Sequence, residues 1–256
     1  DNSASRGISL LYNLDNVEKY YEYALSQSLC KQVMIEKYLD GPQVSTESFV
    51  VDGKIYNIGF ADRNYKDMEK FLPNIIENGG DLPSIFMSEK HKLQLEKYLE
   101  IISKELNIKN GVIKGDIVIH NDELYIIEFA LRLSGGNFST ILIPESTGVD
   151  FLKIAIKLHL NIQIDEDELL IKENKFVSLR YKFLEDINTQ TIKNISIPNK
   201  DDYIIAYKVY LKEGDKIASF KTTNHLQRIS YVITKSNMRN QSIKYANNFL
   251  NKIKFS

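Results

Sequence analysis

Gly111–Gly136, GVIKGDIVIHNDELYIIEFALRLSGG, is the stretch on which the reading of this chain turns. Ile113–His120 and Leu124–Leu131 are rich in Ile and Val. Between them Asn121-Asp122-Glu123 suits a hairpin loop, because Asn and Asp tolerate the left-handed backbone that tight turns require. With those three residues as the loop, His120 faces Leu124, Val118 faces Ile126 and Asp116 faces Glu128, with α-carbons about 4.5 to 5.5 Å apart.

Strand alternation then puts Val118, Leu124 and Ile126 on the side of the two acids, and Ile117, Ile119, Ile127 and Phe129 on the other. Neither acid is expected to have a wet side. Opposed carboxylates repel, and burying one unpaired is costly. A cation relieves both problems. A pair of hard oxygen ligands suits Mg²⁺ (or Mn²⁺), which takes one or two protein carboxylates and completes its shell with water and phosphate oxygens. Arg132 is expected to point into the same space, ready for an anion. The alternative is a pair of solvated strand-edge charges, one of them neutralised by Arg132. The matched register, followed at once by Arg132 and a Ser134-Gly135-Gly136 loop, favours the metal.

Outward from this ribbon the composition is ordinary. The chain has 256 residues, 43% hydrophobic and 26% charged, enough for one large core or two moderate ones. A net charge of −1, with lysines scattered among acids, argues against nucleic-acid binding. The single Cys30 excludes an internal disulfide and a cysteine metal cluster, and is expected to be a buried structural thiol. No apolar run is long enough for a membrane span and no basic-plus-apolar leader is visible, so a cytoplasmic location is the default expectation. Asp1–Gly7 reads as a loop whose preceding strand is absent, as in a fragment of something longer.

In chain order, DNSASRGI is a small, polar segment whose backbone N–H groups and Arg6 can wrap an anion, although most loops of this composition are only loops. Asp15–Leu29 is predicted to be a helix capped by Asp15. Gln32–Leu39 is predicted to be a short buried strand. Val44–Val51 and Lys54–Ala61, joined at Asp52-Gly53, complete a three-stranded antiparallel unit. Within it, Glu47 reads by itself as an outward-facing charge. Residues 62–84 form a long loop with at most a helical turn, of the kind that often covers a site. Ser88–Leu106 is a capped helix and Phe151–Leu160 a shorter one. Asp165–Glu168 is a solvated linker or helix start. Beyond it Phe176–Leu184, Tyr203–Leu211 and Arg228–Thr234 read as strands and Met238–Ile253 as a closing amphipathic helix. Arg180, Arg228 and His225 lie in this last unit, with His225 expected on the surface.

Taken together these segments resemble the ATP-grasp superfamily over nearly the whole chain, and most of all its branch containing biotin carboxylase and carbamoyl phosphate synthetase. The resemblance implies an α+β ATP-grasp fold that lacks its first strands, with an ATP-grasp core over residues 1–165 and a small C-terminal α+β domain over 166–256. DNSASRGI is similar to the mobile phosphate-covering loop, which places Ser5, Arg6 and Gly7 at ATP. VMIEKYLDG is similar to the adenine hinge, with Glu36, Lys37 and Leu39 at the matching positions. STESF puts Glu47 at the acid common on the next strand. Asp116 and Glu128 fall on the two metal-ligand positions, and Arg132 on the catalytic substrate-side arginine. Three departures stand out: Ala130 replaces the usual Asn, Asp116 replaces the more usual Glu, and the lysine-bearing strand expected before the phosphate loop is missing.

The resemblance implies an ATP-dependent carboxylate-amine ligase that uses Mg·ATP to activate a carboxylate as an acyl phosphate. The rival expectation, motivated by Ala130, is a catalytically weak relative that binds nucleotide or serves in assembly. Expected partners are small-molecule carboxylate and amine substrates, with no nucleic acid and no membrane. A homodimer is one assembly the sequence leaves open.

Overall fold

The computed structural model describes residues 2–256. Its centre is an eight-stranded antiparallel sheet formed by β1 (Gln43–Val51), β2 (Lys54–Arg63), β3 (Gly80–Leu82), β4 (Gly111–His120), β5 (Glu123–Ala130), β6 (Phe176–Lys182), β8 (Ile204–Val209) and β9 (Ser230–Ser236), in the order β5-β4-β1-β2-β3-β6-β9-β8. β5 and β8 are thus the two edge strands. β7 (Ile195–Ser196) and β10 (Lys254–Phe255) pair separately.

Asp52 and Gly53 close the β1–β2 hairpin with φ of 50° and 81°, as their residue types require. One face of the sheet carries the largest core, where Phe49 stacks on Phe151 with ring centroids 4.0 Å apart and Ile143, Ile154 and Leu82 are almost fully buried. Those residues bring α3 (Ile143–Thr147) and α4 (Phe151–His159) onto the sheet. The opposite face packs on α2 (Glu89–Glu105) through Leu95 and Leu99, both 0% exposed, against Val44, Ile113 and Ile117. Ser88 caps α2 by accepting from His91 N–H at 3.3 Å, as predicted. A third cluster joins α6 (Arg239–Lys252) to β8 and β9 through Phe249, Leu250, Ile204 and Val232.

The β4–β5 register departs from expectation in detail and returns to it where it matters. Asn121 and Asp122, with φ of 51° and 61°, form a two-residue turn, so His120 faces Glu123 and Val118 faces Tyr125. An irregularity between Asp116 and Ile117 then gives β5 one extra residue and restores the pairing of Asp116 with Glu128.

Other expectations are corrected. Gln32–Leu39 is not a strand: it has no regular secondary structure, with Met34 and Ile35 79% and 73% exposed. The neighbour of β1 is β4 instead, so no three-stranded unit forms from the first three predicted strands. β3 was hidden inside the predicted loop, since Gly80-Asp81-Leu82 is too short to show a period. The first helix, α1 (Val17–Gln27), starts after Asn16 without a side-chain cap, and Asp15 lies outside it. Cys30 is exposed, not buried. Asp165 caps a four-residue helix, α5 (Glu166–Leu169), one of the two readings of that acidic run.

Candidate functional site: an acid pair closed on a lysine

Cross-strand pairing builds the site in two adjacent rows. Gly59, Glu47, Lys114 and Ala130 stand side by side across β2, β1, β4 and β5, and Ala61, Ser45, Asp116 and Glu128 form the next row. Period-two alternation turns all of these side chains to one face. Lys114 Nζ bonds Asp116 Oδ2 and lies 2.9 Å from Glu128 Oε1, so an ammonium holds the two carboxylates together. Ser45 Oγ donates to Asp116 Oδ1 at 2.9 Å, and Arg63 Nη1 is 3.4 Å from Asp116 Oδ2.

The two acids differ in environment, against the expectation that neither has a wet side. The Asp116 side chain is 12% exposed and that of Glu128 57%, because β5 is an edge strand and β4 is covered on both flanks. Burial pushes the Asp116 carboxyl up, but Arg63, Lys114 and the Ser45 hydroxyl outweigh it and hold the group below the usual carboxylate range.

Glu47 is wholly buried, not outward-facing. Its Oε1 accepts from Ser134 N–H at 2.5 Å and from Ser139 Oγ at 2.8 Å, tying β1 to the loop after β5. Its Oε2 is buried without a hydrogen-bond partner. Burial therefore raises its pKa, and bonds from Ser134 and Ser139 with the charge of Lys114 offset this only in part.

From Asp116 a polar chain continues inward. Arg63 Nε lies 2.7 Å from Glu77 Oε2, and Arg228 Nη2 donates to the Glu77 carbonyl at 2.5 Å while its guanidinium carbon sits 3.8 Å from the centre of the Tyr181 ring. Glu77 N–H donates to His225 Nε2 at 3.2 Å, and Ser5 Oγ is 3.3 Å from the same atom. His225, expected on the surface, is half-buried; burial and then Arg228 hold its pKa down to about 3. Arg180 turns elsewhere, to Asp81 Oδ2 at 2.9 Å.

Of the residues singled out from sequence, the fold brings together Asp116, Glu128 and Glu47, all arranged around Lys114. Among the described residues, Ser5 is linked to them through His225, Glu77 and Arg63. Arg6 folds back on Ser3, its Nε donating to the Ser3 carbonyl at 3.1 Å, and Gly7 takes φ +75° beside Gln27. Asp1, the first residue of that loop, lies outside the described residues. Glu36 and Lys37 are exposed and Leu39 half-buried, on the segment that enters the sheet where Pro42 accepts from Ile119 N–H. Arg132 does not share the acids' space: it is exposed and its Nη1 donates to the Leu133 carbonyl at 3.0 Å, because β5 ends at Ala130 and strand alternation does not reach it.

Lys114, Arg63, Glu77 and Ser139 went unread. Lys114 had a signal, since it lies two residues before Asp116 and so on the same face. Arg63 lay two residues past the predicted end of its strand.

The donor set fits a hard divalent ion in kind, with one buried and one exposed carboxylate. In position it fits less well, because the facing oxygens of the pair are already bridged by Lys114. No group of three or more Asp, Glu, His or Cys suited to a metal occurs among the described residues. No helix among them is long and apolar enough to cross a membrane.

The fold is the ATP-grasp fold. Biotin carboxylase from Campylobacter jejuni, solved as a complex with β,γ-ATP, superposes with a TM-score of 0.70 at 17% identity, covering 100% of this chain and 56% of the other. The chain belongs to the family described as carbamoyl-phosphate synthase L chain, ATP binding domain, whose model matches residues 3–167. The carbamoyl phosphate synthase large chain of Thermoanaerobacter sp. (strain X514) is 27% identical over 164 residues, 60% of this chain and 14% of that one. Tyramine–L-glutamate ligase of Methanocaldococcus jannaschii is 28% identical over 145 residues, 56% of this chain and 40% of that one. The chain thus spans less than half the length of these curated relatives.

Proposed function

We propose that the chain is the ATP-binding part of a carboxylate-amine ligase, in which ATP activates a carboxylate as an acyl phosphate before a nitrogen nucleophile displaces phosphate. The observation that carries this reading is the joint approach of Asp116, Glu128 and Glu47 on one sheet face within a family of ATP-binding domains. Residues 1–165 would hold the nucleotide and 166–256 form the smaller unit beside it. Glu128 would hold a Mg²⁺ ion, which would supply positive charge to offset that of the phosphates. Glu128, exposed at the edge of the pair, is the acid placed to meet such an ion first. Glu47 anchors the Ser134–Ser139 loop beside it. Lys114 and Arg63 supply positive charge where phosphoryl oxygens would develop negative charge, and Arg132 stands at the solvent rim for an anionic substrate. Chemistry of this kind is mostly positioning and electrostatics.

A second reading, a nucleotide-binding module with little turnover, draws on two features of the pair: Ala130 supplies no third oxygen, and Lys114 already fills the gap between the acids. Screening the full-length protein against carboxylates and amines for ADP formation separates the two. The ligase reading expects substrate-dependent ADP release that Glu128→Gln abolishes. Release undiminished in Glu128→Gln would remove Glu128 from the mechanism, and ATP binding with no substrate-dependent release would favour the module.

A further inference from the structure

We infer that Lys114 is a built-in cation that stands in for a divalent ion at Asp116, leaving Glu128 Oε2 as the oxygen of the pair open to an ion that arrives with nucleotide. The inference rests on reading this pair as the acids of an ATP site, and deepens that reading by fixing how many metal ions the pair can take.

Three observations carry it. Lys114 is no mobile surface lysine: its side chain is 8% exposed and its ammonium touches both acids. Both Asp116 oxygens are engaged, Oδ1 by Ser45 and Oδ2 by Lys114 and Arg63, so an ion at Asp116 would have to displace an ammonium while facing a guanidinium 3.4 Å from the same oxygen. Asp116 thus carries two cations already, and a further double charge there meets repulsion that the single carboxylate cannot balance. Finally, Lys114 stands directly across from Ala130, whose methyl offers no oxygen to compete for the ammonium or to ligate an ion. Glu128 is the exception in the group, with Oε1 on Lys114 and Oε2 without a protein partner among the described residues.

A purely structural ion pair would look the same at rest, so the test must ask what the lysine excludes. Mn²⁺ alone, without nucleotide, is titrated into the chain and free Mn²⁺ is read by electron paramagnetic resonance. Wild type and Lys114→Arg are expected to take up no Mn²⁺ below about 1 mM. Lys114→Met is expected to bind at least about tenfold tighter than wild type, with the gain lost again in Lys114→Met/Asp116→Asn. Submillimolar Mn²⁺ binding by wild type that Asp116→Asn abolishes overturns the inference, as does a folded Lys114→Met that binds no better than wild type. Where Lys114→Met does not fold, the wild-type and Asp116→Asn titrations together still decide. ATP binding, measured separately, can fail without altering any of these outcomes.

Discussion

Lys114 faces Ala130 across the β4–β5 ladder, and from there its ammonium reaches the carboxylates of Asp116 and Glu128 in the neighbouring row. Removing the lysine alone leaves the Asp116 carboxylate buried with the Ser45 hydroxyl and with Arg63 as its remaining counter-charge among the described residues. Lys114→Met is therefore expected to destabilise the chain by about 3 kcal/mol, as for other broken buried pairs. Lys114→Met/Asp116→Asn should recover most of that loss, because no buried charge is left uncompensated. Denaturant unfolding of the four proteins of this double-mutant cycle measures the coupling, and strictly additive effects would show that the two residues do not interact.

Glu47 should behave in the opposite way. Burial raises its pKa, so the folded state holds the proton more tightly than the unfolded chain, whose Glu titrates near ~4.3. Its penalty is absent below that value and fully present once pH exceeds the folded pKa. Glu47→Gln, which keeps an acceptor for Ser134 and Ser139, is expected to raise the melting temperature by about 2 to 4 °C at pH 7.5. The gain should shrink toward zero near pH ~4. Thermal scans across this range check both halves.

Asp116 gives the reverse sign. Its carboxyl is held below the usual range by Arg63 and Lys114 against the effect of burial, so its stabilisation is complete above the unfolded value of ~3.9 and is lost as pH falls through the lower folded value. Asp116→Asn is expected to be less stable than wild type by about 2 kcal/mol at pH 7, with the difference closing below pH ~4. Urea unfolding at pH 7 and pH 3 is the check.

Gly115, between Lys114 and Asp116 on β4, tests how tightly the ribbon is packed. A β-carbon there would lie 2.5 Å from Phe129 Cε1 and 2.6 Å from Thr46 Oγ1. Gly115→Ala is expected to cost about 1 to 3 kcal/mol by overpacking, read from its denaturant midpoint.

Much of this site was legible because period-two alternation is a short-range rule. It placed Asp116 opposite Glu128 and would have placed Lys114 beside them. Yet the pairing came out right through two offsetting irregularities: a two-residue turn at Asn121-Asp122 and an extra residue on β5. Hydrophobic periodicity encodes neither. Burial was harder still. Glu47 and His225 are polar residues met by segments remote in sequence, the Ser134–Ser139 loop in one case and Glu77 with the Ser5 turn in the other. Conversely, the apolar run of Gln32–Leu39 reads as a strand, but pairing needs a partner, and no strand lies against it among the described residues.

On the proposed reading, ATP is held at the sheet face bearing Glu47, Asp116 and Glu128. Calorimetric titration of ATP into the chain, with and without Mg²⁺, tests it most directly. Mg²⁺-dependent binding is expected, weakened about tenfold or more by each of Glu128→Gln and Glu47→Gln. Binding that ignores both substitutions, or no heat of ATP binding from the folded chain under either condition, would contradict it.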